Sequence, residues 1–94
     1  SHEFIEWCGV IGGSSNSKLA ENMRIKINDL YIDFTNEYPD YAPKSRMAVS
    51  RVRFGKWLIS YSHYKYGCDP IEGRDNIGKW IEFVAKEPQA ALDI

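Results

Sequence analysis

Apolar residues recur along this chain with two different periods. Ile27, Leu30, Tyr31, Phe34 and Tyr38 fall at i, i+3, i+4, i+7 and i+11. That spacing lays one apolar stripe along a helix, predicted to run from about Leu19 or Asn22 to Tyr38 and to end at Pro39. Pro39-Asp40-Tyr41-Ala42-Pro43 is a turn bracketed by prolines. A second helical stretch follows to Tyr64, with Ser45 or Ser50 as its N-cap. Within it Phe54, Trp57, Leu58 and Tyr61 repeat the i, i+3, i+4, i+7 stripe, and Gly67 supplies the stop. Beyond Gly67 the period shortens. Ile71 to Arg74 and Lys79 to Val84 read as two strands joined by the turn-rich Asp75-Asn76-Ile77-Gly78, a β-hairpin. Upstream, Phe4, Ile5, Trp7, Val10 and Ile11 form a short apolar opening, broken by a loop at 12–17.

Charge sharpens this picture. The chain is nearly neutral at −1, but the sum hides a segregation. Residues 1–43 hold three basic and seven acidic side chains, and residues 68–94 hold three and six. Residues 44–67 hold six basic side chains and no acidic one: Lys44, Arg46, Arg51, Arg53, Lys56 and Lys65. A solvated helix face ordinarily mixes signs. A run of one sign over a predicted helix creates a local field to which a polyanion responds, whatever the net charge. Arg53, Lys56, Ser60 and His63, at i, i+3, i+7 and i+10, occupy a face apart from the apolar stripe.

Composition limits what else the chain does. Ninety-four residues make one domain, with no room for a separate catalytic unit. Thirteen aromatic residues supply core volume to that small domain. No apolar run approaches the ~20 residues that span a bilayer, and no signal-peptide pattern opens the chain. The expected setting is cytoplasmic, with Cys8 and Cys68 as reduced thiols. The loop at 12–17 lacks the Gly-Lys-Ser/Thr of a phosphate loop. Two cysteines and two histidines without close pairing do not make a zinc spacing. Asp29 and Asp33, at i and i+4, lack further ligands, and with Glu37 they read as a solvated acidic row or one turned toward a neighbouring domain. His63 has no nucleophile and orienting acid arranged around it in the sequence. No catalytic residue, metal, cofactor or small-molecule substrate is expected.

Helix, turn, basic helix and hairpin is the order of a winged helix-turn-helix, an α+β fold whose helices precede a C-terminal β-hairpin wing. Residues 24–84 would form that domain, residues 1–23 a linker or helical extension and residues 85–94 a polar tail. Ser1-His2 reads as a cloning scar on a domain cut from something larger.

The pattern Ser50-Arg51-x-Arg53-Phe54-Gly55-Lys56-Trp57-Leu58-x-x-Tyr61, then Gly67, Gly73-Arg74-Asp75 and Lys79-Trp80-Ile81-Glu82-Phe83, resembles the C-terminal winged-helix domain of phage and mobile-element primase–helicases of the poxvirus type, superfamily 3. Leu30-Tyr31-x-x-Phe34 fits the same family. The resemblance covers about residues 24–84. It implies a DNA-binding accessory of a replication ATPase, engaging duplex or forked DNA, with the parent ATPase domain as a further partner. The fragment itself carries no Walker A motif and no primase carboxylate cluster.

The expected DNA contacts follow from position. Arg51, Arg53 and Lys56 would enter a groove, and Lys44, Arg46, Lys65, Arg74 and Lys79 would meet the backbone, with His63 near a phosphate. Trp57 and Tyr61 belong to the apolar stripe and are expected in the core. Tyr64 and Tyr66 are less constrained and open to base stacking. Trp80 is expected either partly exposed on the hairpin or packed under the first segment. A protein-interaction module within a larger replication or mobile-element protein is the alternative reading.

Overall fold

The structure, a computed structural model, describes residues 2–9, 16 and 18–85. Most of the predicted loop at 12–17 and residues 86–94 of the predicted tail lie outside the described residues. The fold is a small α+β arrangement of three helices against a three-stranded antiparallel sheet. Helix α1 spans His2–Cys8, strand β1 Arg24–Lys26 and helix α2 Ile27–Glu37. A 3-10 turn at Pro39–Tyr41 leads toward helix α3, Arg51–Tyr66. Strands β2, Ile71–Arg74, and β3, Lys79–Glu82, close the fold, in the sheet order β1-β3-β2.

Helix α2 starts later than its apolar period predicts, and the reason is tertiary. Arg24, Ile25 and Lys26 pair with Glu82, Ile81 and Trp80 of β3. Asn22 sits at φ 59, and its N–H donates to the Phe83 carbonyl at 2.7 Å. A left-handed residue with its amide committed to another segment ends any helix reaching back toward Leu19. From Ile27 onward the predicted stripe holds, with Ile27, Leu30, Tyr31 and Phe34 buried.

Helix α3 is a single helix, and Ser50 is its cap: the hydroxyl oxygen accepts from the Arg53 N–H at 3.1 Å. Ser45 is part of the preceding turn, its Oγ donating to the Pro39 carbonyl at 2.9 Å. Gly67 stops the helix at φ 73, in the left-handed conformation that glycine adopts without steric cost, its N–H donating to the His63 carbonyl at 3.0 Å. The hairpin forms where predicted, except that β3 ends at Glu82. Phe83 instead bridges to Glu21.

The core is largely aromatic. Phe34 of α2 and Phe54 of α3 are both 0% exposed, with ring centroids 5.5 Å apart. Phe4 of α1 lies 5.9 Å from Phe34 and 5.7 Å from Phe54, edge-on to each. Such tilted and edge-to-face pairs are the arrangement that aromatic quadrupoles favour. Leu58, Ile81 and Phe83 continue the core toward the sheet, with Tyr61 edge-on to Phe83 at 5.3 Å. Tyr61 is buried and Trp57 packs against the core half-buried, as the stripe predicts.

The boundary drawn at residue 24 runs through this core. The segment expected to be a linker or extension is helical over His2–Cys8 and buries Phe4, Trp7, Cys8 and Leu19 with the rest. It also makes polar ties. The Trp7 indole N–H donates to Asp33 at 2.9 Å, and Lys18 pairs with the same carboxylate at 2.7 Å. The Lys18 hydrogen bond, against the opposing effect of burial and with help from Trp7, holds the Asp33 carboxyl below its ordinary value. The acidic row of α2 is therefore not wholly solvated, since its middle member anchors the N-terminal segment. Among the described residues no helix is long and apolar enough to cross a membrane.

Truncating Phe4 to alanine removes a ring from the centre of this cluster. Phe4→Ala should cost about 3–5 kcal/mol in chemical denaturation, the range for a buried aromatic. A segment that served only as a linker would show a negligible loss.

Candidate nucleic-acid interface

Strand alternation decides which hairpin side chains face α3. In β3, Ile81 points into the core and Trp80 and Glu82 point the other way. Lys79 shares the Ile81 face. Glu72 pairs with Ile81 and Arg74 with Lys79, so they share it too. The face that begins as core under the sheet thus becomes charged toward the hairpin tip. Opposite it, one side of α3 presents Arg51, Val52, Gly55, Lys56 and Ile59. Between them lies a cleft of about 500 Å³, floored at one end by Ile27 and Asn28 of α2 and walled by Glu72, Arg74 and Lys79.

Four of the predicted contacts converge here: Arg51, Lys56, Arg74 and Lys79 line the same cleft. Glu72 is the acidic residue in the lining, 4.0 Å from Lys79. Arg53 lies on the outer, exposed surface of α3, one turn before Lys56 and outside the cleft. Among the described residues the side chains of Arg53, Lys56 and Arg74 have no hydrogen-bond or ion-pair partner. Their charge is uncompensated locally, which is the condition for attracting an anion.

Arg51 is held differently. Its Nε donates to Asn28 Oδ1 at 2.7 Å, and its guanidinium lies over the Tyr31 ring at 4.7 Å. The Tyr31 hydroxyl in turn donates to the Val49 carbonyl at 2.7 Å, just before α3 begins. The remaining guanidinium nitrogens stay available at the mouth of the cleft. Asn28 was not among the predicted contacts. Its partner stands 23 positions away, and no local pattern marks that pairing.

The other predicted contacts separate from the cleft. Lys44, in the left-handed region at φ 69, and Arg46 lie exposed on the turn before α3, and neither lines the cleft. His63 is exposed and hydrogen-bonded through Nε2 to Asp69, so a carboxylate already occupies the place assigned to a phosphate. Lys65 falls nine residues after Lys56, half a rotation round the helix at 3.6 residues per turn. Its ammonium lies 5.9 and 5.7 Å from the Tyr61 and Tyr66 rings, away from the cleft. The six-cation run is therefore divided: Arg51 and Lys56 line the cleft, Arg53 lies on the outer surface of α3, Lys65 lies over the Tyr61 and Tyr66 rings, and Lys44 and Arg46 lie on the turn.

Aromatic placement is equally informative. Tyr66 is half-buried and stacks on Phe83 at 6.2 Å, and its hydroxyl donates to Glu21 at 2.9 Å, so one face of its ring is taken up within the fold. Burial, reinforced by Glu21, raises the pKa of that hydroxyl well above its ordinary value. Tyr64 is exposed and borders a second, mainly apolar cleft of about 280 Å³ with Phe4, Ile5, Cys8, Trp57, Ser60 and Tyr61. Trp80 is half-buried, on the face away from the core. Its indole lies across Gly73 of the neighbouring strand, where a Cβ would come within 2.3 Å of it, and the Arg24 guanidinium covers it at 4.2 Å.

The hairpin turn is fastened at one residue. Asp75 Oδ1 accepts the N–H groups of Ile77 at 2.9 Å and Gly78 at 3.0 Å, and the Asp75 N–H donates to the Gly78 carbonyl at 3.0 Å. The same carboxylate pairs with Lys26, tying the turn to the end of β1. The Lys26 hydrogen bond foremost, then the two amides, lower the Asp75 pKa from 3.8 to about 2. Burial pushes the Cys8 thiol up to about 12, opposite to what a nucleophile needs. Among the described residues no three His, Cys, Asp or Glu side chains gather to hold a metal.

Because the Asp75 pKa is depressed in the fold, its contribution to the hairpin is complete above about pH 4 and is lost as pH falls toward 2. An NMR titration of the Asp75 carboxyl should give a midpoint near 2, with the Ile77 and Gly78 amide resonances moving alongside it. A midpoint at the ordinary 3.8 would mean the clamp does not form in solution. Gly73→Ala should displace the Trp80 indole and free Arg24, read as a change in the Trp80 indole N–H resonance. No protein-family model matches the chain, and neither a curated protein nor a solved structure does.

Proposed function

We propose that this chain is a DNA-binding winged helix that grips duplex or forked DNA between α3 and the hairpin. The observation that carries the reading is the convergence of Arg51, Lys56, Arg74 and Lys79 on one cleft, from α3 and the hairpin that follows it. Three helices with a β1-β3-β2 sheet, and a capped basic helix followed by a hairpin, are compatible with that fold. In such an arrangement α3 enters the major groove, which is about 12 Å wide and accepts a helix about 10–12 Å across. Arg53 and Lys56 on the outer side of α3 meet phosphates or base edges, Arg51 reaches a base edge from the cleft mouth, and Arg74 and Lys79 meet the flanking backbone as a wing.

The resemblance to the C-terminal domain of phage and mobile-element primase–helicases supports a place in DNA replication, as the accessory DNA-binding part of a larger ATPase. In this reading the fragment is not itself an enzyme, and its partners are DNA and the parent ATPase domain. A second reading, a protein-docking module, is favoured by the apolar cleft beside α1, where Ile5 and Tyr64 are exposed. The two differ in salt response. Displacing counterions makes DNA binding fall steeply with salt, whereas an apolar interface need not.

Four side chains at phosphates, namely Arg53, Lys56, Arg74 and Lys79, predict a slope of log K against log[salt] of about −3 to −4. Fluorescence anisotropy with a labelled duplex across a salt series measures it. The double substitution Arg53→Glu and Lys56→Glu should weaken binding at least about tenfold near 0.1 M salt and flatten the slope by about two. Both residues are exposed, so the circular-dichroism spectrum should not change. Unchanged affinity in the double variant would overturn the assignment.

A further inference from the structure

The most exposed large apolar side chain among the described residues is Ile77, at 80%. It stands at the apex of the β2–β3 hairpin. A single exposed aliphatic residue is ordinary on a protein surface. Three features set this one apart. Its backbone is held: the Ile77 and Gly78 amides both donate to Asp75, and that carboxylate pairs with Lys26. The tip it crowns is flanked by cations, because Arg74 and Lys79 form the last paired rung before the turn. And the residue type is wrong for its place, since turns favour Gly, Asn, Asp, Ser or Pro, each for a backbone reason that isoleucine does not serve. A fastened apolar tip inside a cationic collar matches the surface of a base step, where phosphates flank the stacked bases on either side. Proteins that insert aliphatic side chains between base steps unstack them and kink the duplex.

We propose that Ile77 is an apolar wedge which the hairpin presses against a base step at a fork or other weakened pair, while Arg74 and Lys79 hold the phosphates beside it. This rests on the DNA-binding reading above and adds to it a preference for DNA structure. The unstacking cost is least where a pair is already frayed, so the wedge favours forked over continuous duplex. It acts at the hairpin tip, whereas the general affinity comes from α3.

The test uses the whole chain and two DNAs, a plain duplex and a fork with 2-aminopurine at the junction. Stacking quenches 2-aminopurine, so its emission rises when the base is unstacked. The wild type should bind the fork more tightly than the duplex and raise the emission. Ile77→Ser should keep duplex affinity within about twofold, as expected for an exposed substitution, yet lose both the fork preference and the rise. Ile77→Met, which keeps an apolar tip, should retain both. If the wild type binds duplex and fork equally with no rise, or if Ile77→Ser behaves as the wild type, the wedge is overturned and the DNA-binding reading stands. If the wild type binds neither DNA at low salt, the DNA-binding reading falls and the wedge falls with it.

Discussion

The contact between Phe34 and Phe54 sets the geometry of everything else. Each is fully buried, Phe34 toward the end of α2 and Phe54 in the first turn of α3, and their rings fix how the two helices meet. Phe4 closes the third side, so α1 is held by the same cluster. With that crossing set, the opposite flank of α3 is turned toward the hairpin, and Tyr31 is placed to hold both the Arg51 guanidinium and the Val49 carbonyl. The cleft is thus a by-product of core packing.

The sheet contributes through its middle strand. β3 pairs with β1 on one side and β2 on the other, and its inward face changes from Ile81 in the core to Lys79 in the cleft within two residues. A rigid hairpin can carry charge out from the core only if its outer end is secured. Two ties do this: Lys26 to Asp75 at the turn, and the Arg24–Trp80–Gly73 stack across the three strands. Both use β1, a three-residue strand whose pairing anchors the hairpin to the start of α2.

What the sequence makes legible follows the reach of each signal. Periodicity and caps are local, so the apolar stripes of α2 and α3, Ser50 as one of two candidate caps, the Gly67 stop and the hairpin could all be read. Strand β1 was not legible, because Arg24-Ile25-Lys26 is too short to show a period and is extended only through its partners on β3. The role of α1 was hidden for a similar reason: seven residues say little until Phe4 meets Phe34 and Phe54. At the candidate site, residue type and charge identified Arg51, Lys56, Arg74 and Lys79, which the cleft gathers. The same reasoning could not sort Lys65, His63, Lys44 and Arg46 from them, because helix rotation and the Asp69 partner of His63 decide their placement. Asn28 is the counter-example, a positioning residue 23 positions from the arginine it holds.

Arg51 also differs from its neighbours in when it becomes ordered. With one nitrogen fixed on Asn28 and its plane laid on Tyr31, most of its rotamer freedom is surrendered as the chain folds. Arg53 and Lys56 keep theirs until something binds, and each immobilised side chain of that kind costs about 0.5–1.5 kcal/mol at that moment. For any anion that meets α3, Arg51 is the contact with the smaller entropic penalty and the narrower choice of direction. The flexible pair adapts to where the charge lies, and the fixed one sets the angle at which it is met.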